Sequence, residues 1–232
     1  MKNIFATCCF FLLLIPALYA QNEAALIKAV KAKLDKVNDY QASGRMKVDI
    51  SFVNAPPSNV TVYYKRPNQF KVKKENGISI LPKGGVSINI NSLLSTDQYA
   101  VVPAGTAVVK TIPVKVVKLL PLNEENDIVL TTLFIDEKNL LIRKSTVTTK
   151  ESGSYEIELD YGKYAGWGLP DKVVFLFSTK DYKLPKGMTF EYDKGDKKKE
   201  DTLKNKKGMV EITYANYMIN KGIDDKIFRS DK

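Results

Sequence analysis

The chain has 232 residues, a formal net charge of +10, no histidine and two cysteines, Cys8 and Cys9. Without histidine there is no Ser-His-Asp or Cys-His nucleophilic centre, and the usual zinc ligands are missing. Neither a metal nor a cofactor is expected.

Met1–Ala20 has the make-up of a secretory signal: Lys2 starts it, Phe10–Leu18 is almost unbroken apolar sequence, and Ala20 is a small residue ahead of Gln21. A lipid-anchored alternative would have to use Cys8 or Cys9, and too few apolar residues precede them. The expected mature chain, residues 21–232, is a single soluble domain with no Pro- or Ser-rich linker. Both cysteines leave with the signal, so the domain enters an oxidising compartment without a disulfide and is held by burial alone. No later apolar run is long enough to span a bilayer.

Gln21–Asp39 reads as an amphipathic helix, with Ile27, Val30, Leu34 and Val37 at helical spacing and Lys28, Lys31, Lys33 and Lys36 elsewhere on its surface. From Ala42 the period changes to two. Ala42, Gly44, Met46, Val48, Ile50 and Phe52 alternate with Ser43, Arg45, Lys47, Asp49 and Ser51, as in a half-buried strand. Asn54–Asn59 holds two prolines and forms the turn of an antiparallel hairpin. In the returning strand Val60, Val62 and Tyr64 alternate with Thr61, Tyr63 and Lys65. Arg66 falls in phase with the apolar set, at the end of an apolar face, where a guanidinium needs a carboxylate or carbonyls to receive it. Pro67 removes a ladder donor, so the strand must stop, bend or run at an edge there, and Phe70 and Val72 resume the apolar phase.

Short strands are expected at Ile78–Leu81 and Val86–Ile90. Within Ser92–Leu122, Tyr99–Val102 and Thr106–Lys110 read as extended, whereas Val114–Leu120 fits either a strand or a buried helix. Asp127–Asp136 and Leu140–Lys150 make a hairpin around Glu137-Lys138-Asn139. Ser154–Tyr161, Lys172–Ser178, Met188–Tyr192 and Val210–Tyr217 add further strands. The expected fold is mainly β (α+β): a strongly curved antiparallel sheet or open barrel behind an N-terminal amphipathic helix.

Glu156, Glu158 and Asp160 could supply a carboxylate pair, but they share the polar face of one strand, which a solvated exterior explains. No glycine-rich loop opens a helix after a strand, so binding rather than enzymatic activity is the better-supported class. Lys194–Lys207 carries seven lysines against three acids and is a candidate for meeting a membrane surface or an acidic partner. Nucleic acid is not expected for an exported chain, and a monomer is.

Several segments in order resemble the periplasmic outer-membrane lipoprotein carrier (Lol carrier-like) and lipoprotein-sorting family. They are Lys33-Leu34-Asp35-Lys36-Val37, Tyr40-Gln41-Ala42-Ser43, Lys65-Arg66-Pro67-Asn68 with Phe70, Gly168-Leu169-Pro170-Asp171-Lys172-Val173, and Tyr217–Phe228 with Asn220, Ile223 and Asp224. The resemblance implies an incomplete antiparallel β-barrel whose open side is covered by helices, over an apolar cavity that receives acyl chains in the periplasm. It also implies that Arg66 fastens the helical lid by hydrogen bonds and gives way when an acylated lipoprotein or lipid enters. The cavity face would then comprise Met46, Val48, Ile50, Phe52, Val60, Val62, Tyr64 and Phe70, residues that could equally pack against the first helix. The alternative is an envelope sensor or regulatory module that uses the same sheet to bind a protein partner.

Overall fold

The computed structural model describes residues 15–49, 56–75, 94, 98–123, 125, 127–150, 153–178 and 207–229. Ile50 and Phe52, the strands expected at Ile78–Leu81, Val86–Ile90 and Met188–Tyr192, and the basic loop up to residue 206 lie outside them. Among the described residues there is one α-helix, α1 (Ile15–Leu34), which begins within the segment read as a signal. None of the described helices is long and apolar enough to cross a membrane. Leu26, Ile27, Val30 and Leu34 bury one stripe of α1, spaced three or four residues apart as the sequence period requires. The helix stops short of the expected Asp39 because its last turn tightens: Lys36 N–H donates to Lys33 O and Val37 N–H to Leu34 O, which keeps Val37 on the buried side.

Ten strands follow: β1 (Asp39–Asp49), β2 (Ser58–Lys65), β3 (Gln69–Lys74), β4 (Tyr99–Val109), β5 (Ile112–Pro121), β6 (Ile128–Asp136), β7 (Leu141–Thr149), β8 (Ser154–Asp160), β9 (Lys172–Ser178) and β10 (Lys207–Ile219). They form one sheet in the order β3-β2-β1-β10-β9-β8-β7-β6-β5-β4, every neighbouring pair antiparallel. Among the described residues the sheet is not closed, and β3 and β4 are its edges. Laid flat it would span about 43 Å, nine spacings of about 4.8 Å, against a helix only about 10 Å across. Yet Val72 of β3, Leu119 of β5 and the α1 stripe share one apolar core. The sheet must therefore curl around the helix, which makes it an open half-barrel.

Val114–Leu120 is a strand. Val117 and Leu119 join the core, while in the opposite phase Val114 and Val116 are buried outside it and Lys118 and Leu120 are exposed. The two extended pieces expected around it are one strand, β4, whose pairing with β5 slips between Pro103 and Thr106. Beyond that slip the tip of the β4–β5 hairpin reaches over the outer face, where Lys110 Nζ lies 2.5 Å from Asp160 and 4.0 Å from Glu158. Glu156 is held by Lys144. The three acids of β8 are thus engaged in outer-face ion pairs.

Inner-face rows run across the hairpins in register. Tyr40 faces Tyr64, Ala42 faces Val62 and Gly44 faces Val60 across β1–β2, while Val62 faces Val72 and Tyr64 faces Phe70 across β2–β3. On the other side of β1 the ladder to β10 slips between Ser43 and Gly44. A Cβ at Gly44 would come within 2.6 Å of the Thr213 carbonyl oxygen. Backbone cannot give way as a side-chain tip can, so Gly44→Ala is expected to destabilise the fold by about 1–3 kcal/mol, read as a lowered midpoint in urea unfolding. An unchanged midpoint would show that the bulge relaxes freely.

Candidate functional site

Of the residues expected to line an acyl-chain cavity, Met46, Val48, Val60, Val62 and Tyr64 lie on the inner face, each no more than 8% exposed, and Phe70 is half-buried against the same core. In this structure they pack with Leu26, Ile27, Val30, Leu34 and Val37, so the helix stripe occupies the interior. At one end of the sheet the interior is lined by tyrosines. Tyr40 lies 5.3 Å from Tyr64 and 5.2 Å from Tyr217, whose ring also meets those of Tyr164 and Tyr214 at 4.9 and 5.0 Å. Burial pushes the phenols of Tyr40, Tyr214 and Tyr217 above the ordinary tyrosine range, so they stay neutral there. Tyr217 satisfies its hydroxyl by donating to Pro170 O at 2.7 Å.

Arg66 is not on the inner face. The chain reverses at residues 66–68, so Phe70 resumes the apolar phase on a new strand rather than along the same one. The side chain is 42% exposed and stays hydrated. Its Nη1 donates to Asp35 O at 2.9 Å, its Nη2 lies 3.5 Å from the Asp35 carboxylate, and its backbone N–H donates to Asn38 O at 2.8 Å. Helix ends leave their last carbonyls without intrahelical donors, and Arg66 supplies one.

Two neighbours do the same work and were not legible as site residues. Asn220, in a left-handed conformation at φ 56, donates through Nδ2 to Lys36 O at 2.9 Å and accepts through Oδ1 from Asn38 N–H at 2.7 Å. In return, buried Asp39 accepts from the backbone N–H groups of Lys221 and Gly222, both at 3.1 Å. The sequence signals there were the turn signature Asn220-Lys221-Gly222, with Gly222 at φ 83, and the place of Asn220 in the closing segment that carries the resemblance; neither showed its partners. On the other flank Lys33 donates to Asn139 O at 2.7 Å. That turn is built on Asp136, which accepts from Asn139 and from Arg143, the latter at 2.7 Å. The end of α1 is thereby clasped from β2–β3, from β10 and from β6–β7. Towards its start, Glu23 meets Lys115 of β5 at 3.5 Å.

No protein-family model and no curated protein matches the sequence. Solved structures do match in shape. A DUF1329 family protein from Desulfovibrio piger is 12% identical, with a TM-score of 0.54 over 90% of this chain and 97% of that one. A LolA superfamily protein from Nitrosomonas europaea is also 12% identical, with a TM-score of 0.50 over 88% of this chain and 97% of that one. The chain shares its fold with these two proteins. At this identity the likeness is one of architecture: among the described residues, a curved antiparallel sheet with β3 and β4 at its edges, packed around α1. Among the described residues no cluster of acids, cysteines or histidines is arranged to hold a metal.

Asn220→Ala removes a side chain that satisfies both an orphan carbonyl and an orphan N–H, so it is expected to cost about 2–3 kcal/mol. Arg66→Ala, at an exposed and hydrated pair, is expected to cost about 1 kcal/mol or less. Chemical denaturation of both variants checks this order, and a reversal would make Arg66 the principal clasp. The Asp136 carboxyl gives a pH dependence. Burial alone would raise it, but the hydrogen bonds from Asn139 and Arg143 outweigh burial and hold it below its ordinary value. A depressed carboxylate stabilises the fold above its unfolded-state value and loses that contribution as pH falls through its folded-state value. Asp136→Asn is therefore expected to be destabilising by about 2–4 kcal/mol at pH 7, with the gap to wild type closing as pH drops below about 4. A gap independent of pH would exclude this assignment.

Proposed function

We propose that this protein is a non-enzymatic periplasmic carrier that takes up the acyl chains of lipoproteins, or other lipids, into the interior of its half-barrel. The observation that carries the reading is the nature of the wall closing the apolar inner face. It is a separate helix with an aliphatic stripe, not a second sheet. The stripe and an acyl chain offer the sheet the same chemistry, so one can replace the other. Burial of an acyl chain is worth about 0.8 kcal/mol per CH₂, and a helix that returns to the interior supplies the competition that release requires. In this reading the structure is the closed, cargo-free state, Met46, Val48, Val60, Val62, Tyr64 and Phe70 contact cargo once the helix moves, and Arg66 is one of the ties that must yield.

A protein-binding envelope module of the same fold remains the second reading. The observation that favours it is that the inner-face residues are already packed against α1, leaving the outer surfaces to act.

Mass spectrometry of organic extracts, from protein purified out of its own envelope without detergent, separates the two. Phospholipid or acylated peptide is expected in the extract, with slower loss of a fluorescent acyl probe from Arg66→Leu than from wild type, because the closed state that competes with cargo is weakened. A lipid-free protein that also fails to bind the probe would sink the carrier reading.

A further inference from the structure

Seven large apolar side chains are exposed among the described residues, and four of them, Val102, Val108, Leu120 and Leu122, belong to the β4–β5 hairpin and the residue just after it. Val108 is 71% exposed and Leu122 is 64% exposed. From Tyr99 to Leu122 the chain carries three lysines, Lys110, Lys115 and Lys118, and no acid. Elsewhere the outer face is built differently: Lys144 meets Glu156, and Lys172 meets Glu211 at 2.7 Å. An exposed apolar element with only positive charge is a departure that asks for a partner.

The chemistry of the hairpin selects among partners. A second copy of the chain adding to the β4 edge would need a regular row of donors and acceptors. Pro103 has no N–H, Gly105 has φ 82, and the register slips between Pro103 and Thr106, so the middle of β4 offers no such row. A bilayer surface makes no such demand. It accepts apolar side chains one by one at the acyl boundary and lysines at the headgroups. Lys110 is held by Asp160 and Glu158, and Lys115 by Glu23 and Glu137. Lys118, opposite Val102 and exposed, makes no ion pair among the described residues and is placed to meet an anionic headgroup.

We infer that the β4–β5 hairpin is a membrane-contact element that seats the protein on an anionic lipid surface through Val102, Leu120, Leu122 and Lys118, which share one face of the hairpin by register. The contact would be made beside the helix, because α1 runs past β4 and Lys115 joins the hairpin to Glu23. One oxygen of that buried Glu23 carboxylate has no hydrogen-bond partner among the described residues, so the junction between hairpin and helix is imperfectly satisfied there.

The test is flotation of the full chain with vesicles of phosphatidylglycerol and phosphatidylcholine in equal parts, and with phosphatidylcholine alone. Wild type is expected to float with the anionic vesicles, less so as salt rises. The double variant Val102→Asp, Leu122→Asp is expected to bind about tenfold or more weakly, and Lys118→Glu several-fold more weakly. Both double-variant positions are exposed, and circular dichroism checks that the fold is kept. The inference is overturned if wild type does not float, if the double variant floats equally well, or if the substitutions instead turn a dimer into a monomer by sedimentation, which would assign the hairpin to a second copy. Binding of an acyl probe in lipid-free solution is measured in parallel. It is expected to be unchanged in the double variant, so membrane contact and cargo uptake can fail separately.

Discussion

Everything else in the molecule depends on one packing arrangement: the aliphatic stripe of a single helix filling the inner face of a ten-stranded sheet. Neither element buries its apolar face alone. The helix carries lysines on its other faces and has one apolar stripe to bury, and the sheet has an apolar face too wide for flat packing against one cylinder. Curvature resolves both needs, since wrapping lets β3 and β5 reach the same core. The glycine at the β1–β10 bulge, the register slip in β4 and the open edges are consequences of that wrapping.

Around this packing the polar groups are divided unequally. The last turn of α1 is bonded by Arg66, Asn220 and the Asn139 turn, each taking up a backbone or side-chain group that the helix end exposes. Its earlier part has the Glu23–Lys115 pair. Hydrogen bonds secure the end of the helix and apolar contact secures its length, so the strength of hold along α1 is graded. A helix held in this way can be strongly anchored and still be displaced from the sheet.

Much of the fold was legible because alternation survives wherever one face of a strand is wet. β1, β2 and β8 carry it plainly, while Lys172–Ser178, an almost continuous apolar run, nonetheless coincides with the observed strand. Alternation failed in β5 for a physical reason: the bent hairpin buries Val114 and Val116 on the outer side while Val117 and Leu119 are buried inside, so the strand reads as a continuous apolar run. Arg66 was misplaced because phase was counted through a chain reversal. The helix was read too long because a tightened last turn keeps Val37 in the helical phase. The pairing of Asp39 with Asn220 had no local signature at all; the two residues are some 180 positions apart and meet only because β1 lies beside β10.

That adjacency of β1 and β10 has a kinetic meaning. Every other ladder in the sheet joins strands consecutive in sequence, so the chain is two meanders, β1 to β3 and β4 to β10, each made of neighbouring hairpins. Hairpins close quickly, whereas the first strand meets the last only across nearly the whole chain, and loop-closure entropy opposes that meeting most. The β1–β10 ladder is the weld between two locally assembled halves. Until it forms, the helix has half a wall to lie against, which makes this ladder the slow and cooperative step in the assembly of the protein.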